Sequence, residues 1–290
     1  CGDHLERSGN PLAVPISMRV AGAALPLDRD ALAQALPAPR RKLLVLDLRR
    51  PELARATEVV AEPVSGVLEN FQLKPSGLIT QVRQGTALTL HEHATGDRVG
   101  RPLALPYAGA ARIVHEPAPI DEAVLYSMTG WTRWQQFYLA RGGANAAIAL
   151  GAEPSLPVLD LQVTDVDVPS HDGVKVPMTV LHRKGLALDG RNPVLVSGYA
   201  SYGFSETAHY SASSLVWLER GGVLAFTNPR GSGVHGDDWH RAGFKTTKSN
   251  TWKDGIACVR WLIEQGYGSP ATMGITGGSA GGIFVGRAVT

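Results

Sequence analysis

The sequence predicts a strand-rich first part and an α/β second part, in which a mostly parallel sheet carries helices on both faces. Three observations support this. Between Leu43 and Leu139, apolar or alternating segments recur about every 8–12 residues, a spacing typical of an all-β sandwich, barrel or propeller. From Val163 onward, strand and helix patterns alternate, as in helix-covered parallel sheets. Near the end, a strand, a glycine-rich turn and an apolar helix follow one another.

The composition is that of a folded protein with an ordinary core. The 290 residues are 44% hydrophobic and 19% charged, which excludes disorder as the main state and allows one large domain or two average ones. A formal net charge of +2 gives no electrostatic reason to expect nucleic acid or a membrane as a partner. Cys1 and Cys258 are the two cysteines, so neither a disulfide framework nor a thiolate zinc site is expected.

The strands of the first part are predicted from short apolar or alternating segments. These segments are Leu43–Leu48, Leu78–Val82, Ala87–His93, Arg112–His115, Ala123–Met128 and Gln135–Leu139. These segments show no repeat signature that would distinguish a β-sandwich from a barrel or a propeller. The proline-rich first 40 residues are ambiguous, and Asp28–Leu36 is compatible with one short helix.

The second part combines a predicted hairpin with alternating strands and helices. The predicted strands are Val163–Pro169, Lys175–His182, Asn192–Tyr199, Val223–Thr227 and Met273–Thr276. Two helices are predicted, Ser211–Arg220 before Gly221 and a second one capped by Asn250–Thr251 and ended by Gly266.

The strongest chemical motif is Gly277-Gly-Ser-Ala-Gly-Gly282 between a strand and a helix. Gly-x-Ser-x-Gly in this context is the nucleophile elbow of α/β-hydrolases. It places Ser279 in a strained backbone conformation and leaves the N–H of Ala280 free to stabilise an oxyanion. A purely structural glycine turn is the alternative. A phosphate-binding loop is disfavoured because the Gly-Lys-Ser/Thr ending is absent.

From about Val163 to the end, the chain resembles the prolyl oligopeptidase family of serine peptidases. The matching motifs, in order, are Ser170–Met178, Lys184–Gly190, Gly198–Phe204, Gly221–Gly233, Gly236–His240, Asn250–Asp254, Gly266–Pro270 and Gly277–Gly282. The resemblance implies a partial α/β-hydrolase preceded by the last blades of a β-propeller. Residues 1–155 would be propeller blades, and residues 156–290 the N-terminal half of the peptidase domain.

The resemblance also implies the site residues. Ser279 matches the nucleophile, the N–H of Ala280 the first oxyanion donor, and the hydroxyl of Tyr199 the second. A phenol suits that task because it is a neutral donor on a rigid stem. Tyr202 lies close enough in sequence to compete for the assignment, and a buried tyrosine with a satisfied hydroxyl is the structural alternative. Tyr202 and Phe204 are expected to line the pocket beside the scissile bond.

The main departure from the family is a missing base. The triad order is Ser, then Asp or Glu, then His, yet the 11 residues after Ser279 contain no histidine or acid. The order argues against His209, His235 and His240. We therefore expect the catalytic Asp and His beyond residue 290, and an inactive chain as given. Ser232 and Val234 also depart from the family pattern, which puts substrate preference in doubt.

The implied function is serine-type hydrolysis of peptide bonds in short peptides, through an acyl-enzyme and without cofactor or metal. Two alternatives remain: an esterase or acylaminoacyl hydrolase of the same fold, and a non-catalytic binding module. Because the chain begins at Cys1 without a signal-like segment, it is expected to be a piece of a longer polypeptide. The sequence does not indicate where the protein is located. The cytoplasm is the default expectation, and the periplasm and secretion are the alternatives.

Several other residues attract attention but have structural interpretations. His91 and His93 share one face of a strand, and an exposed hairpin edge is favoured over a metal pair. Asp237 and Asp238 are expected to be solvated, and Cys258 to be a small core residue. Packing between β-sheets is expected for the aromatic group Trp131, Trp134, Phe137 and Tyr138.

Overall fold

The structure, a computed structural model, describes residues 38–45, 49–50, 52–114, 122–150 and 159–290. The short helix predicted at Asp28–Leu36, the end of the strand predicted at Leu43–Leu48, and the predicted boundary between residues 155 and 156 lie outside these ranges. Strand β1 (Leu43–Val45) pairs antiparallel with β2 (Thr57–Val60).

Two four-stranded antiparallel meanders make up most of the first part. The first contains β3 (Val67–Lys74), β4 (Gly77–Gln84), β5 (Ala87–Ala94) and β6 (Arg101–Pro102), and the second contains β7 (Ala110–Ile113), β8 (Val124–Thr129), β9 (Gln136–Arg141) and β10 (Ala144–Ile148). They meet through one parallel pairing, Leu88 with Ala110. Successive four-stranded units are the architecture of propeller blades, so the propeller-like prediction is confirmed.

The strands that the sequence pattern does not indicate include β3 and β10 of these meanders. β3 contains Glu69, Asn70 and Gln72, and β10 is rich in alanine, so neither shows a clear apolar alternation. Each becomes a strand because a neighbour supplies its backbone hydrogen bonds, β4 for β3 and β9 for β10. Tertiary pairing therefore decides these segments, and intrinsic preference does not.

The second part is built on a five-stranded sheet. Its strands are β11 (Leu161–Pro169), β12 (Lys175–Arg183), β13 (Val194–Ser197), β14 (Val223–Thr227) and β15 (Met273–Thr276). The order is β11-β12-β14-β13-β15, with antiparallel pairing from β11 to β14 and parallel pairing from β14 to β15. The described helices are α1 (Ala212–Glu219), α2 (Asp237–Arg241), α3 (Ser249–Glu264) and α4 (Gly281–Ala288).

Helices cover both faces of this sheet. Along β14, Leu224 and Phe226 belong to the core formed with Leu215 and Leu218 of α1. The alternate β14 residues Val223 and Ala225 belong to the core formed with Cys258 and Leu262 of α3. Because successive strand residues point to opposite faces, α1 and α3 lie on opposite sides, as predicted for an α/β-hydrolase. None of the described helices is both long and apolar enough to cross a bilayer.

The helix boundaries match the sequence signals with one exception. Ser211 accepts a hydrogen bond from the N–H of Ser214 at the start of α1, and Gly221 ends that helix with φ +82°. α3, by contrast, begins at Ser249 and has Lys248 in its capping position without a side-chain cap. The predicted cap at Asn250 is therefore wrong, since its amide donates to the carbonyl of Ala242 at 2.9 Å.

The two parts of the chain contact each other through aromatic rings and backbone hydrogen bonds. Trp131 stacks on Phe226 of β14 with ring centroids 4.5 Å apart, and Trp134 meets Tyr210 edge-on at 5.4 Å. The N–H of Ala208 also donates to Thr86 at 2.8 Å. Trp131 thus packs between the sheets, as predicted, whereas Trp134 stays 39% exposed.

The prediction that His91 and His93 lie on an exposed hairpin edge is wrong. β5 is an inner strand, and His93 is 2% exposed. The Nδ1 of His93 lies 3.1 Å from the carbonyl of Asp97, and Nε2 lies 3.0 Å from the Thr80 hydroxyl. A carbonyl only accepts, so Nδ1 carries the proton and Nε2 accepts. No group of three or more metal-ligating side chains occurs among the described residues.

The adjacent acids that open α2 differ from each other. Asp238 is exposed, as expected. Asp237 instead forms an ion pair with the buried Arg41 at 3.7 Å, and its N–H donates to the carbonyl of Pro39 at 2.9 Å. The expectation of two solvated acids is therefore correct for Asp238 only.

Candidate active site

The glycine-rich turn joins β15 to α4, which confirms the predicted strand–turn–helix context of Ser279. β15 ends at Thr276 and α4 begins at Gly281. Between them Ser279 has φ +51° and an exposed side chain. For a residue other than glycine this left-handed conformation costs roughly 1–2 kcal/mol. The turn therefore projects the hydroxyl of Ser279 away from the sheet at the carboxyl end of β15.

Two of the four glycines in the turn are required by close contacts. A β-carbon on Gly277 would lie 2.6 Å from the carbonyl oxygen of Gly198 and 2.7 Å from that of Gly281. A β-carbon on Gly281 would lie 2.9 Å from the same Gly198 oxygen. Gly278 and Gly282 would meet nothing within 4 Å. The outer glycines of Gly-x-Ser-x-Gly are thus the ones that pack against the loop after β13.

The start of α4 offers an unused donor next to the serine. The N–H of Gly281 donates to Gly278 at 2.7 Å, and that of Gly282 to Ser279 at 3.0 Å. The N–H of Ala280 donates to no acceptor among the residues described. It lies at the positive end of the helix dipole, where negative charge is stabilised. This position suits an oxyanion donor, and that role of Ala280 stays a prediction.

The loop after β13 brings Tyr199 against the turn. A β-carbon on Gly281 would lie 3.5 Å from Cδ2 of Tyr199. The half-buried ring of Tyr199 also meets Phe204 edge-on, with centroids 5.2 Å apart. Tyr202 is 56% exposed and Phe204 52% exposed on the same loop. The structure therefore brings Ser279, Ala280 and Tyr199 together, while their catalytic roles stay predictions.

A second turn, Pro229–Gly233, packs against the loop that carries Tyr199. The N–H of Gly203 donates to Gly231 at 3.1 Å, and a β-carbon on Gly231 would lie 2.4 Å from the carbonyl oxygen of Ala200. Ser232 and Val234, the two departures from the family pattern, are each 1% exposed. Both side chains are therefore buried, within or directly after this second turn.

The turn itself is fixed by a buried ion pair that the sequence did not reveal. The guanidinium of Arg230 donates to Asp254 through Nε at 2.9 Å and Nη2 at 2.6 Å, and through Nη1 to Asp172 at 2.6 Å. These bonds raise the pKa of Arg230, chiefly through Asp254, and the Arg230 hydrogen bond lowers the pKa of Asp172. The Asp254 carboxylate is fully buried and also accepts from Ser170 at 2.6 Å. These three charged side chains thus connect α3, the β11–β12 hairpin and the Pro229–Gly233 turn.

None of the three upstream histidines forms a hydrogen bond with Ser279. His209 bonds the carbonyl of Thr207 at 2.9 Å, and His240 bonds that of Gly231 at 2.9 Å. The ring of His235 packs edge-on against Trp239, with centroids 4.8 Å apart. Within the described ranges, the Ser279 hydroxyl has no hydrogen-bond partner. This agrees with the expectation from triad order.

Comparison with known proteins identifies relatives of both parts. A family profile described as Prolyl oligopeptidase family matches residues 208–290. A prolyl endopeptidase of Elizabethkingia meningoseptica is 40% identical over 121 residues, which is 42% of this chain and 17% of the relative. Prolyl oligopeptidase A of Amanita bisporigera is 27% identical over 271 residues, 87% of this chain and 34% of the relative. The matched parts of the chain therefore span about a sixth to a third of the length of these relatives.

Solved structures match over most of the described fold. A prolyl endopeptidase structure aligns with a TM-score of 0.81 and 32% identity, covering 87% of this chain and 37% of that chain. Oligopeptidase B from Leishmania major shares the fold with a TM-score of 0.78 at 20% identity, covering 87% of this chain and 37% of that one. Sequence and structure agree: residues 208–290 match the Prolyl oligopeptidase family profile, and the described fold is similar to that of a solved prolyl endopeptidase.

Proposed function

We propose that the chain carries the nucleophile and the oxyanion-binding groups of a serine peptidase that cleaves peptide bonds in short peptides. The proposal rests on the contact between two loops. The strained Ser279, with the unused N–H of Ala280 beside it, lies against the loop that presents Tyr199.

The chemistry would proceed through an acyl-enzyme. The Oγ of Ser279 attacks the carbonyl carbon, and the carbonyl oxygen becomes an anion that accepts hydrogen bonds from the Ala280 N–H and the Tyr199 hydroxyl. Collapse of this intermediate expels the amine, and water then releases the acid. A base must take the serine proton and then give it to the departing amine. Because no described histidine contacts Ser279, we expect that base outside the described residues, and little or no turnover by the 290-residue chain alone.

The peptide substrate is proposed from the family and from the surfaces around the serine. The relatives are named prolyl endopeptidase and prolyl oligopeptidase. Tyr202 and Phe204 expose aromatic surface on the Tyr199 loop, which suits contact with substrate side chains. The propeller-like strands contact the residues after this loop, where the N–H of Ala208 donates to the carbonyl of Thr86. We propose that these strands restrict access to short peptides.

Parallel assays of a peptide amide and a simple ester test the proposal. The protein should be produced from its complete coding sequence, alongside Ser279→Ala and the control Ser213→Ala at an exposed position of α1. We expect amide cleavage that Ser279→Ala abolishes and Ser213→Ala preserves. Ester cleavage without amide cleavage would favour an esterase, and the absence of both would favour a binding module. Either result would contradict the proposed peptidase.

A further inference from the structure

The loop that presents Tyr199 is held by an unusual lysine. Nζ of Lys248 lies 2.7 Å from the carbonyl oxygen of Ala200 and 2.9 Å from the hydroxyl of Ser201. Both partners are buried, at 2% and 7% exposure, and both follow Tyr199 directly in sequence. The ammonium therefore contacts the Ala200–Ser201 peptide group, one residue beyond the candidate oxyanion donor Tyr199.

This loop needs such support because its backbone is strained. Ala200 has φ +49° and Tyr202 has φ +56°, two left-handed conformations that side chains disfavour by roughly 1–2 kcal/mol each. The loop lies outside any helix or strand. Its conformation must therefore be imposed by contacts with other segments, and Lys248 supplies two of them.

The position of Lys248 is unfavourable for the stability of α3. It occupies the capping position at the positive end of the helix dipole, where a cation is destabilising. The side chain is half-buried, and this burial lowers the pKa of Lys248. No carboxylate lies within ion-pair distance of it among the described residues. A half-buried cation without an anionic partner is thus directed at a carbonyl and a hydroxyl of one loop.

We propose that Lys248 is a positioning residue, whose ammonium holds the Ala200–Ser201 peptide so that Tyr199 faces the turn that carries Ser279. The inference rests on the proposed function, because it assigns Lys248 a task in the same site. Lys248 touches no reacting atom; it acts through the loop. Its loss should therefore lower kcat more than it changes KM, since the oxyanion forms only after substrate has bound.

Kinetics and hydrogen exchange test this role together. Lys248→Met removes the ammonium, Lys248→Arg keeps a charged donor, and Lys253→Met is the control at an exposed lysine of α3. In the protein made from its complete coding sequence, we expect Lys248→Met to lower kcat about 10–100-fold with KM within about threefold. Lys248→Arg should recover part of this loss, and Lys253→Met should show none.

The exchange measurement separates this inference from the proposed function. Lys248→Met should speed amide exchange in residues 198–205 more than in the strands of the five-stranded sheet, because this loop loses two hydrogen bonds. Unchanged exchange in this segment, or an equal loss of kcat in Lys253→Met, would overturn the role of Lys248. If the unaltered protein hydrolyses neither amide nor ester, the proposed function fails, while the exchange comparison still decides whether Lys248 holds the loop.

Discussion

Gly277 and Gly198 approach each other so closely that a β-carbon on Gly277 would lie 2.6 Å from the carbonyl oxygen of Gly198. This contact joins the turn that carries Ser279 to the loop that carries Tyr199. The two segments lie about 80 residues apart in sequence and are brought together because β13 and β15 are parallel neighbours. Their relative position is therefore set by the sheet, with glycine allowing the final approach.

Alanine substitutions should separate the glycines needed for this approach from the others. Gly277→Ala and Gly281→Ala should each lower the free energy of unfolding by about 1–3 kcal/mol, since the clashing oxygens belong to the backbone. Gly282→Ala, the control within α4, has open space and should be neutral or stabilising by up to about 1 kcal/mol. Urea unfolding measures all three. Equal effects at Gly281 and Gly282 would contradict the packing described.

The buried ion pair below the loop should contribute strongly to stability. Asp254→Asn leaves the guanidinium of Arg230 without its fully buried carboxylate, and we expect a loss of about 3 kcal/mol or more in unfolding free energy. Asp238→Asn, at an exposed acid of α2, should change it by less than about 0.5 kcal/mol. A small effect of Asp254→Asn in chemical denaturation would show that Asp172 alone satisfies Arg230.

Acid should weaken the first part of the chain through His93. Burial lowers the pKa of His93 in the folded state, so the unfolded state binds a proton first as the pH falls. The contribution of neutral His93 is therefore complete above about pH 6.5 and is lost as the pH falls through the folded pKa, at up to about 1.4 kcal/mol per pH unit. Unfolding free energies between pH 8 and pH 5 should fall less steeply for His93→Gln. An unchanged slope in His93→Gln would contradict this prediction.

Kinetic measurements should show whether Tyr199 or Tyr202 provides the hydroxyl that stabilises the oxyanion. Tyr199 adjoins Gly281, whereas Tyr202 is 56% exposed, so Tyr199→Phe should lower kcat about 100-fold in the protein made from its complete coding sequence. Tyr202→Phe keeps the exposed ring and should leave kcat within a few-fold. Steady-state kinetics on one peptide amide measures both. The opposite ranking would assign the oxyanion hydroxyl to Tyr202.

Local motifs predicted much of this fold, and the misses have physical reasons. The turn around Ser279 could be recognised because its glycines, strand and helix are contiguous. The sequence does not indicate β3, because pairing with β4 outweighs a polar sequence. It favours an edge position for His93, because β6 and Gly100, which cover this side chain, carry no sequence signal. Lys248 and Ala200 are 48 residues apart, and no local pattern links them.

Location of a covalent adduct tests the central claim most directly. The protein made from its complete coding sequence should be treated with a serine-directed fluorophosphonate and analysed by peptide mass spectrometry, beside Ser279→Ala. The account predicts one adduct, on Ser279, and none in the variant. An adduct on another serine, or no adduct on a folded unaltered protein, would contradict the assignment of Ser279 as the nucleophile.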